Sequence, residues 1–200
     1  MRRRGGPAAA DDAAVIESSW REPERFAVLF DRHAPHIYRY LARRAGPQVA
    51  DDLVAETFLA AFAKRDRYDL RYSDARPWLY GIATNLAGQH RRDEARQFRI
   101  RQAAVADPEV PGHAERVAAD VTAQATRALL GRALATLTAG DRDVLLLIAW
   151  EQLTYQEVSR ALAIPVGTVR SRLHRARTKV RQALAGTEAA ATYEELTTNE

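Results

Sequence analysis

Apolar side chains recur every three or four residues over most of this 200-residue chain, and that spacing places them along one side of an α-helix. The first such run lies within residues 26–41, and the helix that it predicts ends at Gly46-Pro47. Alternating apolar and polar residues, the pattern of a half-buried β-strand, are not found in the sequence. The spacing therefore predicts an all-α fold. Further helices are predicted at about 50–65, from Pro77 to about residue 101, and at 141–150, 154–163 and 165–185.

Changes of composition divide this helical pattern into domains. The first 20 residues are rich in Gly, Ala and Asp and show little periodicity, so we expect them to be disordered. A stretch after residue 101 contains Asp107-Pro108 and Pro111-Gly112 and has no large aromatic residue, which is typical of a flexible linker. The predicted organisation is a disordered segment at 1–22, a helical domain at 23–101, a linker at 102–125, a second helical domain at 126–185 and an acidic flexible tail at 186–200.

The composition argues against several classes of protein. The chain has no Cys, which excludes a disulfide framework, a thiol nucleophile and a Cys-ligated metal. No apolar run approaches the ~18 residues of a membrane span, so we expect no membrane insertion. His33 and His36 are three residues apart but have no third ligand nearby in sequence, and we expect His33 to lie in the core. Without a nucleophile constellation or a Gly-rich phosphate loop, we expect neither an enzyme nor a cofactor.

Charge is unevenly distributed along the chain. Lys and Arg total 30 against 26 Asp and Glu, a net charge of +4. Residues 160–181 nevertheless carry seven basic side chains and no acidic one, whereas residues 50–62 carry three acidic side chains and no basic one. Blocks of opposite sign indicate one surface for an acidic partner, such as nucleic acid, and another surface for a basic partner.

Residues 153–177 have the pattern of a helix-turn-helix. Thr154 and Glu157 form a capping box at the start of a short helix. Ala163-Ile164-Pro165 interrupts it, and a second helix follows. That helix has a predicted buried stripe at Val169, Leu173, Ala176 and Val180.

The opposite side of this second helix is polar and basic. At about 100° per residue, Ser171, His174, Arg175 and Thr178 lie opposite the buried stripe, with Arg170, Arg172, Arg177 and Lys179 beside them. A recognition helix in the major groove has this layout, with central side chains at base edges and flanking Arg and Lys at phosphates. A merely solvated basic helix is the alternative. The cap, the Pro turn and the absence of acids together favour DNA binding.

Two segments of the first domain also suggest function. Asp52 and Glu56 lie four residues apart on one helix face, which fits either a solvated acidic face or a docking surface for a basic protein. Asn85 sits in the middle of a predicted helix and is followed by Arg91-Arg92. An amide beside arginines could contact an unstacked base next to its phosphates, whereas the alternative is a simply exposed Asn85.

Together these segments resemble a known protein family. The acidic helix D-D-L-V-x-E-x-F-L is followed by W-L-Y-x-I-A-x-N-L and Arg-Arg, then by L-T-Y-x-E-V and P-V-G-T-V-R-S-R-L-x-R-A-R. In order and spacing this combination is similar to the bacterial extracytoplasmic-function (ECF) sigma factors of RNA polymerase. The resemblance covers about residues 25–100 and 130–185.

The resemblance implies a cytoplasmic promoter-specificity subunit that binds core RNA polymerase and promoter DNA, and it admits an anti-sigma factor as a further partner. The β′ clamp helices and the β subunit of polymerase would be its contacts. The residues implied at the clamp helices are Asp51, Asp52, Leu53 and Glu56. The segment from Trp78 to Arg92 and the loop before it would open the −10 element and capture a flipped base. The residues implied there are Trp78, Asn85, Arg91 and Arg92.

In the second domain, the resemblance implies that the helix-turn-helix enters the major groove of the −35 element. The residues concerned are Thr168, Arg170, Ser171, Arg172, His174, Arg175 and Arg177. The competing hypothesis is a free-standing helix-turn-helix regulator that binds a duplex operator alone. Such a regulator has no need of the acidic helix or of the Trp78–Arg92 segment, and these two features separate the hypotheses.

Overall fold

The computed structural model describes residues 11–104 and 130–184, and all regular structure in these ranges is helical. The helices are α1 (Asp12–Ser18), α2 (Ala27–Ala45), α3 (Pro47–Ala63), α4 (Arg76–Ala104), α5 (Ala139–Ala149), α6 (Tyr155–Leu162) and α7 (Val166–Leu184). Short 3-10 turns lie at Pro23–Phe26 and Arg65–Arg67, and residues 130–135 are also helical. The chain divides into two compact units, so the prediction of an all-α fold with two helical domains is confirmed.

The N-terminal unit is built around the pair α2 and α3. Gly46 separates the two helices with φ +95°, a conformation that a residue with a Cβ rarely adopts, and Pro47 begins α3. Helix α2 contacts α3 through the rings of Phe30 and Phe58, whose centroids are 4.9 Å apart. It also contacts α4, where the Tyr40 hydroxyl lies 2.8 Å from Thr84 Oγ1. These contacts fix α3 and α4, the two helices of this unit that carry predicted functional residues.

The predicted disorder of residues 1–22 is wrong for residues 11–22. Asp11 caps α1 by accepting a hydrogen bond from the Ala14 amide at 2.8 Å, and Val15 and Ile16 of this helix are buried. The carboxylate of Asp12 is buried beside Arg32 and His33. A seven-residue helix is too short to show periodicity, and an isolated helix of this length is unstable in water. Its stability comes from residues far along the chain. Residues 1–10 lie outside the described ranges.

Helices α6 and α7 form the helix-turn-helix. The capping box is confirmed: the Thr154 amide donates to Glu157 Oε2 at 2.7 Å, and the Glu157 amide donates to Thr154 Oγ1 at 3.3 Å. Ala163 takes a positive φ of 52° in the turn between α6 and α7. The predicted stripe on α7 is also confirmed, because Val169, Leu173, Ala176 and Val180 are all buried.

The boundaries of the predicted linker and tail are only partly described. Helix α4 continues to Ala104, so residues 102–104 are helical rather than part of a linker. The remainder of the predicted linker, residues 105–125, and the predicted acidic tail, residues 186–200, lie outside the described ranges.

Candidate functional site

The predicted acidic surface lies on α3. Asp51, Asp52 and Glu56 are all exposed, and we call these three residues the acidic face. Asp52 and Glu56 are separated by one helical turn and therefore project in nearly the same direction. Leu59, almost one turn further along, shares this side of the helix and is 68% exposed. The acidic face therefore ends in an apolar side chain, a feature that the sequence analysis did not identify.

Leu53 differs from its neighbours. Its side chain is 4% exposed and packs in the core, whereas Asp51 and Asp52 before it point to solvent. On a helix with 3.6 residues per turn, Leu53 is rotated by about 100° from Asp52. We therefore assign Leu53 to anchoring α3, and not to direct contact with a partner as the resemblance implied.

The segment between α3 and α4, residues 64–75, is held by the side chain of Tyr68. Its hydroxyl donates to the carbonyl oxygens of Tyr72 and Asp74, at 2.7 and 3.2 Å. Its ring packs on Trp78, with centroids 5.0 Å apart. Burial and nearby carboxylates raise the pKa of Tyr68, so the phenol stays protonated as a donor. We call residues 64–75 the α3–α4 loop.

The α3–α4 loop presents arginines beside aromatic residues. Arg67, Arg71 and Tyr72 are exposed, and Trp78, just beyond the loop, is half-buried. Arg71 forms an exposed ion pair with Asp69 at 2.6 Å. Aromatic rings next to arginines suit single-stranded nucleic acid, since bases stack on the rings while cations contact the phosphates.

Helix α4 carries the polar residues predicted to contact DNA. Asn85, Arg91 and Arg92 are all exposed. Asn85 and Arg92 are seven residues apart, so they share one side of the helix at a spacing of about 10 Å. Arg91 is rotated by about 100° from Arg92 and projects from a different side of the helix. Of the two arginines, Arg92 is the one that continues the line of Asn85.

The polar side of α7 is presented largely as the sequence predicted. Arg170, Ser171, His174 and Arg175 are exposed, whereas Thr168, Arg172 and Arg177 are half-buried. The Ser171 hydroxyl donates to the Thr168 carbonyl oxygen at 3.1 Å. The exposed group is the part of α7 that a DNA duplex can contact directly.

Two arginines of α7 are positioned by the first turn of α5. Arg175 Nη2 donates to Asp141 Oδ1 at 3.1 Å, and the side chain of Asp141 is only 3% exposed while that of Arg175 is 53% exposed. Burial would raise the pKa of Asp141, but hydrogen bonds from Thr138 and Arg175 outweigh this effect and lower it. The guanidinium of Arg172 lies against Gly140, where an added Cβ would come within 2.7 Å of Nη1. Asp141 was not predicted from sequence because it lies 34 positions from Arg175.

His33 is buried, as expected from its place in the apolar stripe, and its Nε2 lies 2.8 Å from Asp12 Oδ2. Within residues 11–104 and 130–184, no group of three or more His, Cys, Asp or Glu side chains is arranged to hold a metal ion. None of the helices in those same ranges combines the length and apolarity needed to cross a membrane.

Comparison with known proteins identifies both units. Residues 29–97 match the family model of Sigma-70 region 2, and residues 127–180 match that of Sigma-70 region 4. The match to region 2 argues against the hypothesis of a free-standing regulator, because it covers a domain outside the helix-turn-helix.

Similar proteins include ECF sigma factors from mycobacteria. ECF RNA polymerase sigma factor SigE of Mycolicibacterium smegmatis is 34% identical over 190 residues, which cover 89% of this chain and 65% of that protein, slightly less than two thirds. ECF RNA polymerase sigma factor SigL of Mycobacterium tuberculosis is 33% identical over 176 residues, which cover 87% of this chain and 90% of that protein.

The fold is also found among solved structures. CnrH, solved in complex with the cytosolic domain of CnrY, matches with a TM-score of 0.61 at 24% identity, covering 86% of this chain and 96% of CnrH. Both regions, their order in the chain and the extent of the SigL alignment agree. The chain therefore belongs to the ECF sigma factors of RNA polymerase.

Proposed function

We propose that this chain is a promoter-specificity subunit that binds core RNA polymerase, contacts the −35 and −10 promoter elements and helps to open the DNA. The observation that carries the proposal is the coexistence of an exposed acidic face on α3 with exposed basic surfaces on α4 and α7. A DNA-binding protein that acts alone has no use for the acidic face. A subunit that must hold both polymerase and promoter needs all three surfaces.

The acidic face supports docking on a basic protein surface. Asp52 and Glu56 are exposed, and neither forms an ion pair within the described residues, so both carboxylates can meet cations of a partner. In this proposal the partner is the clamp-helix region of the β′ subunit. The exposed side chain of Leu59 adds apolar area that becomes buried when the partner binds.

The α3–α4 loop and α4 support a role in opening the −10 element. Tyr72 and the half-buried Trp78 would offer aromatic surface to an unstacked base, and Asn85 would offer both a donor and an acceptor to a base edge. Arg92, on the same side of α4 as Asn85, would contact a phosphate about two turns away. The chain would thus stabilise a strand that has already left the duplex.

Helix α7 supports contact with the −35 element in the major groove. Ser171, His174 and Arg175 lie on its exposed side and would contact bases, while Arg170 would contact a phosphate. Asp141 engages one nitrogen of the Arg175 guanidinium, and the remaining N–H groups stay available for a guanine. Asp141 would therefore orient Arg175 rather than withdraw it from DNA.

The proposal assigns no catalytic activity to the chain and places it in the cytoplasm, where it would act within RNA polymerase. An anti-sigma factor that competes with polymerase would have to match the carboxylates of the acidic face, since these side chains would be the shared contact. Basic side chains are the expected complement on such a partner.

Transcription from a promoter library with purified core polymerase tests the proposed function. We expect run-off transcripts that depend on this chain and that come from promoters sharing one −35 and one −10 sequence. The chain should also be retained by core polymerase in a pull-down. Tight binding of the isolated chain to a duplex site, without retention by polymerase and without transcripts, would contradict the proposal.

A further inference from the structure

We infer that residues 11–20 form an N-terminal brace that keeps the α3–α4 loop in the shape needed to take up an unstacked promoter base. This inference rests on the proposed role of that loop at the −10 element. It concerns residues that precede the segment matched by the region 2 model, which begins at residue 29. The brace therefore lies outside the segment that the region 2 model covers.

The brace holds the distal end of the α3–α4 loop through Asp12. The Asp12 amide donates to the Ser73 carbonyl oxygen at 3.0 Å, and Asp12 Oδ2 accepts from the Ala75 amide at 3.0 Å. One residue thus forms two hydrogen bonds with the stretch that leads directly into α4. Ala75 is fully buried, so this end of the loop has no freedom to shift without losing a buried hydrogen bond.

The brace holds the proximal end of the loop through Ser19 and Trp20. The indole Nε1 of Trp20 donates to the Arg65 carbonyl oxygen at 3.2 Å, and Arg65 Nε donates to the Ser19 carbonyl oxygen at 3.4 Å. Ser19 is itself buried, and its hydroxyl donates to the Ile16 carbonyl oxygen at 2.6 Å. The two ends of one short helical segment are therefore bonded to the two ends of one loop.

The brace is in turn anchored to the core helix α2. Asp12 Oδ2 lies 2.8 Å from His33 Nε2, and Asp12 Oδ1 accepts from Arg32 Nη1 at 3.0 Å. Both partners belong to α2, which also packs on α3 and forms the Tyr40–Thr84 hydrogen bond with α4. Because Asp12 is fixed by α2, the bonds that it makes to Ser73 and Ala75 fix the loop relative to the rigid part of the unit.

Such fixation matters for binding a single strand. A loop that is already in its bound shape loses less conformational entropy when DNA binds, and this raises affinity without adding a contact. Residues 69–72 at the tip, including the exposed Arg71 and Tyr72, make none of these bonds. The brace would thus support the −10 contact without itself contacting the DNA. Asp12 and Trp20 are accordingly positioning residues.

The experiment compares three full-length variants assembled with core polymerase. Asp12→Ala removes the carboxylate at the distal end of the loop. Trp20→Phe removes the N–H donor at the proximal end and keeps a smaller aromatic ring. Asp11→Ala is the matched control, because Asp11 caps the same helix but makes no bond to the loop. Two quantities are measured: binding of a single-stranded −10 oligonucleotide, and amide hydrogen exchange of residues 65–75.

We expect Asp12→Ala to weaken oligonucleotide binding about tenfold and Trp20→Phe about threefold, with faster exchange in the loop for both. Asp11→Ala should match the wild type in both measurements, and all variants should bind −35 duplex DNA equally. If Asp12→Ala proves too unstable to assemble, Trp20→Phe still decides, since it keeps an aromatic ring at a position that is 44% exposed. Wild-type binding and wild-type exchange in Trp20→Phe would overturn the inference. Failure of the wild-type holoenzyme itself to bind the oligonucleotide would instead contradict the proposed function.

Discussion

Asp12 is buried, and its carboxylate is charged because several donors surround it. Burial alone would raise its pKa, but hydrogen bonds from His33, from the Ala75 amide and from Arg32 outweigh that effect and lower the pKa to about 2. The ordinary value is 3.8. A group whose pKa is lower in the folded state stabilises that state whenever it is ionised, so Asp12 contributes to stability at neutral pH.

We predict that Asp12→Asn lowers the free energy of unfolding by about 2 kcal/mol at pH 7, the amount that corresponds to this pKa shift. The stabilisation is fully present above about pH 4 and is lost as the pH falls towards 2. Urea unfolding at pH 7, 4 and 2.5 measures it. The difference between variant and wild type should shrink at the lowest pH, whereas the exposed Asp66→Asn should leave the midpoint unchanged. Equal stabilities at pH 7 would contradict the prediction.

His174 offers a test of base contacts that does not disturb the fold. Like Arg175 it is exposed on the polar side of α7, but the loss of Arg175 would also leave the buried Asp141 without its guanidinium partner. We predict that His174→Ala changes the preference at one −35 position by about 1 kcal/mol, because a base-edge contact is lost there. Selection from a randomised −35 library measures this preference.

The control for His174 is Gln182→Ala, an exposed substitution two turns further along the same helix. It should leave the selected −35 sequence unchanged. If both variants select the wild-type sequence, His174 does not face the bases, and the rotation of α7 about its axis in the groove must differ from the one proposed.

At the scale of an element, α3 shows how one helix serves two surfaces. Its inner side, which includes Leu53 and Phe58, packs in the core, while its outer side carries the acidic face. Substitutions on the outer side should therefore change partner binding without changing the fold.

We predict that the double substitution Asp52→Arg with Glu56→Arg abolishes binding to core polymerase. Four units of charge change at the contact, and like charges across an interface cost several kcal/mol. Binding is measured by pull-down, with circular dichroism to verify folding. Glu17→Arg with Glu24→Arg changes the net charge equally at exposed positions outside α3 and should bind like the wild type. A folded Asp52/Glu56 variant that still binds polymerase would refute the docking assignment.

The helices that could be predicted from sequence are those stabilised by residues that lie close together in the sequence. The stripe on α7 and the capping box of α6 are set by residues three to eleven positions apart, and both were confirmed. Helix α1 was missed because its stability depends on Arg32, His33 and Ala75, which lie 20 to 63 positions away from Asp12. The Asp141–Arg175 pair was missed for the same reason. Contacts between distant residues leave no periodic signal in the sequence.

At the scale of the whole molecule, side chains of opposite charge lie on different helices, and each charge suits a different partner. The net charge of +4 is small, yet α3 presents carboxylates whereas α4 and α7 present arginines. Binding to DNA should therefore weaken steeply with added salt. The arginines displace salt cations from the DNA phosphates, and a higher salt concentration opposes this displacement. Opening the promoter requires more than this attraction, since a non-specific basic surface also binds closed duplex. Asn85 is the residue on α4 best suited to distinguish an open strand from a closed one.

We predict that Asn85→Ala reduces open-complex formation about tenfold while leaving polymerase binding and −35 binding unchanged. An exposed amide that contacts an unstacked base contributes to DNA binding only after the duplex opens. Gln97→Ala removes another exposed amide of α4, rotated by about 120° from Asn85, and should open promoters like the wild type. Permanganate footprinting on a duplex and on a pre-melted promoter measures opening. Asn85 captures the base if the variant is defective on both templates, and it acts in strand separation if the defect disappears on the pre-melted one. Normal opening on both templates would show that Asn85 is only a solvated surface residue.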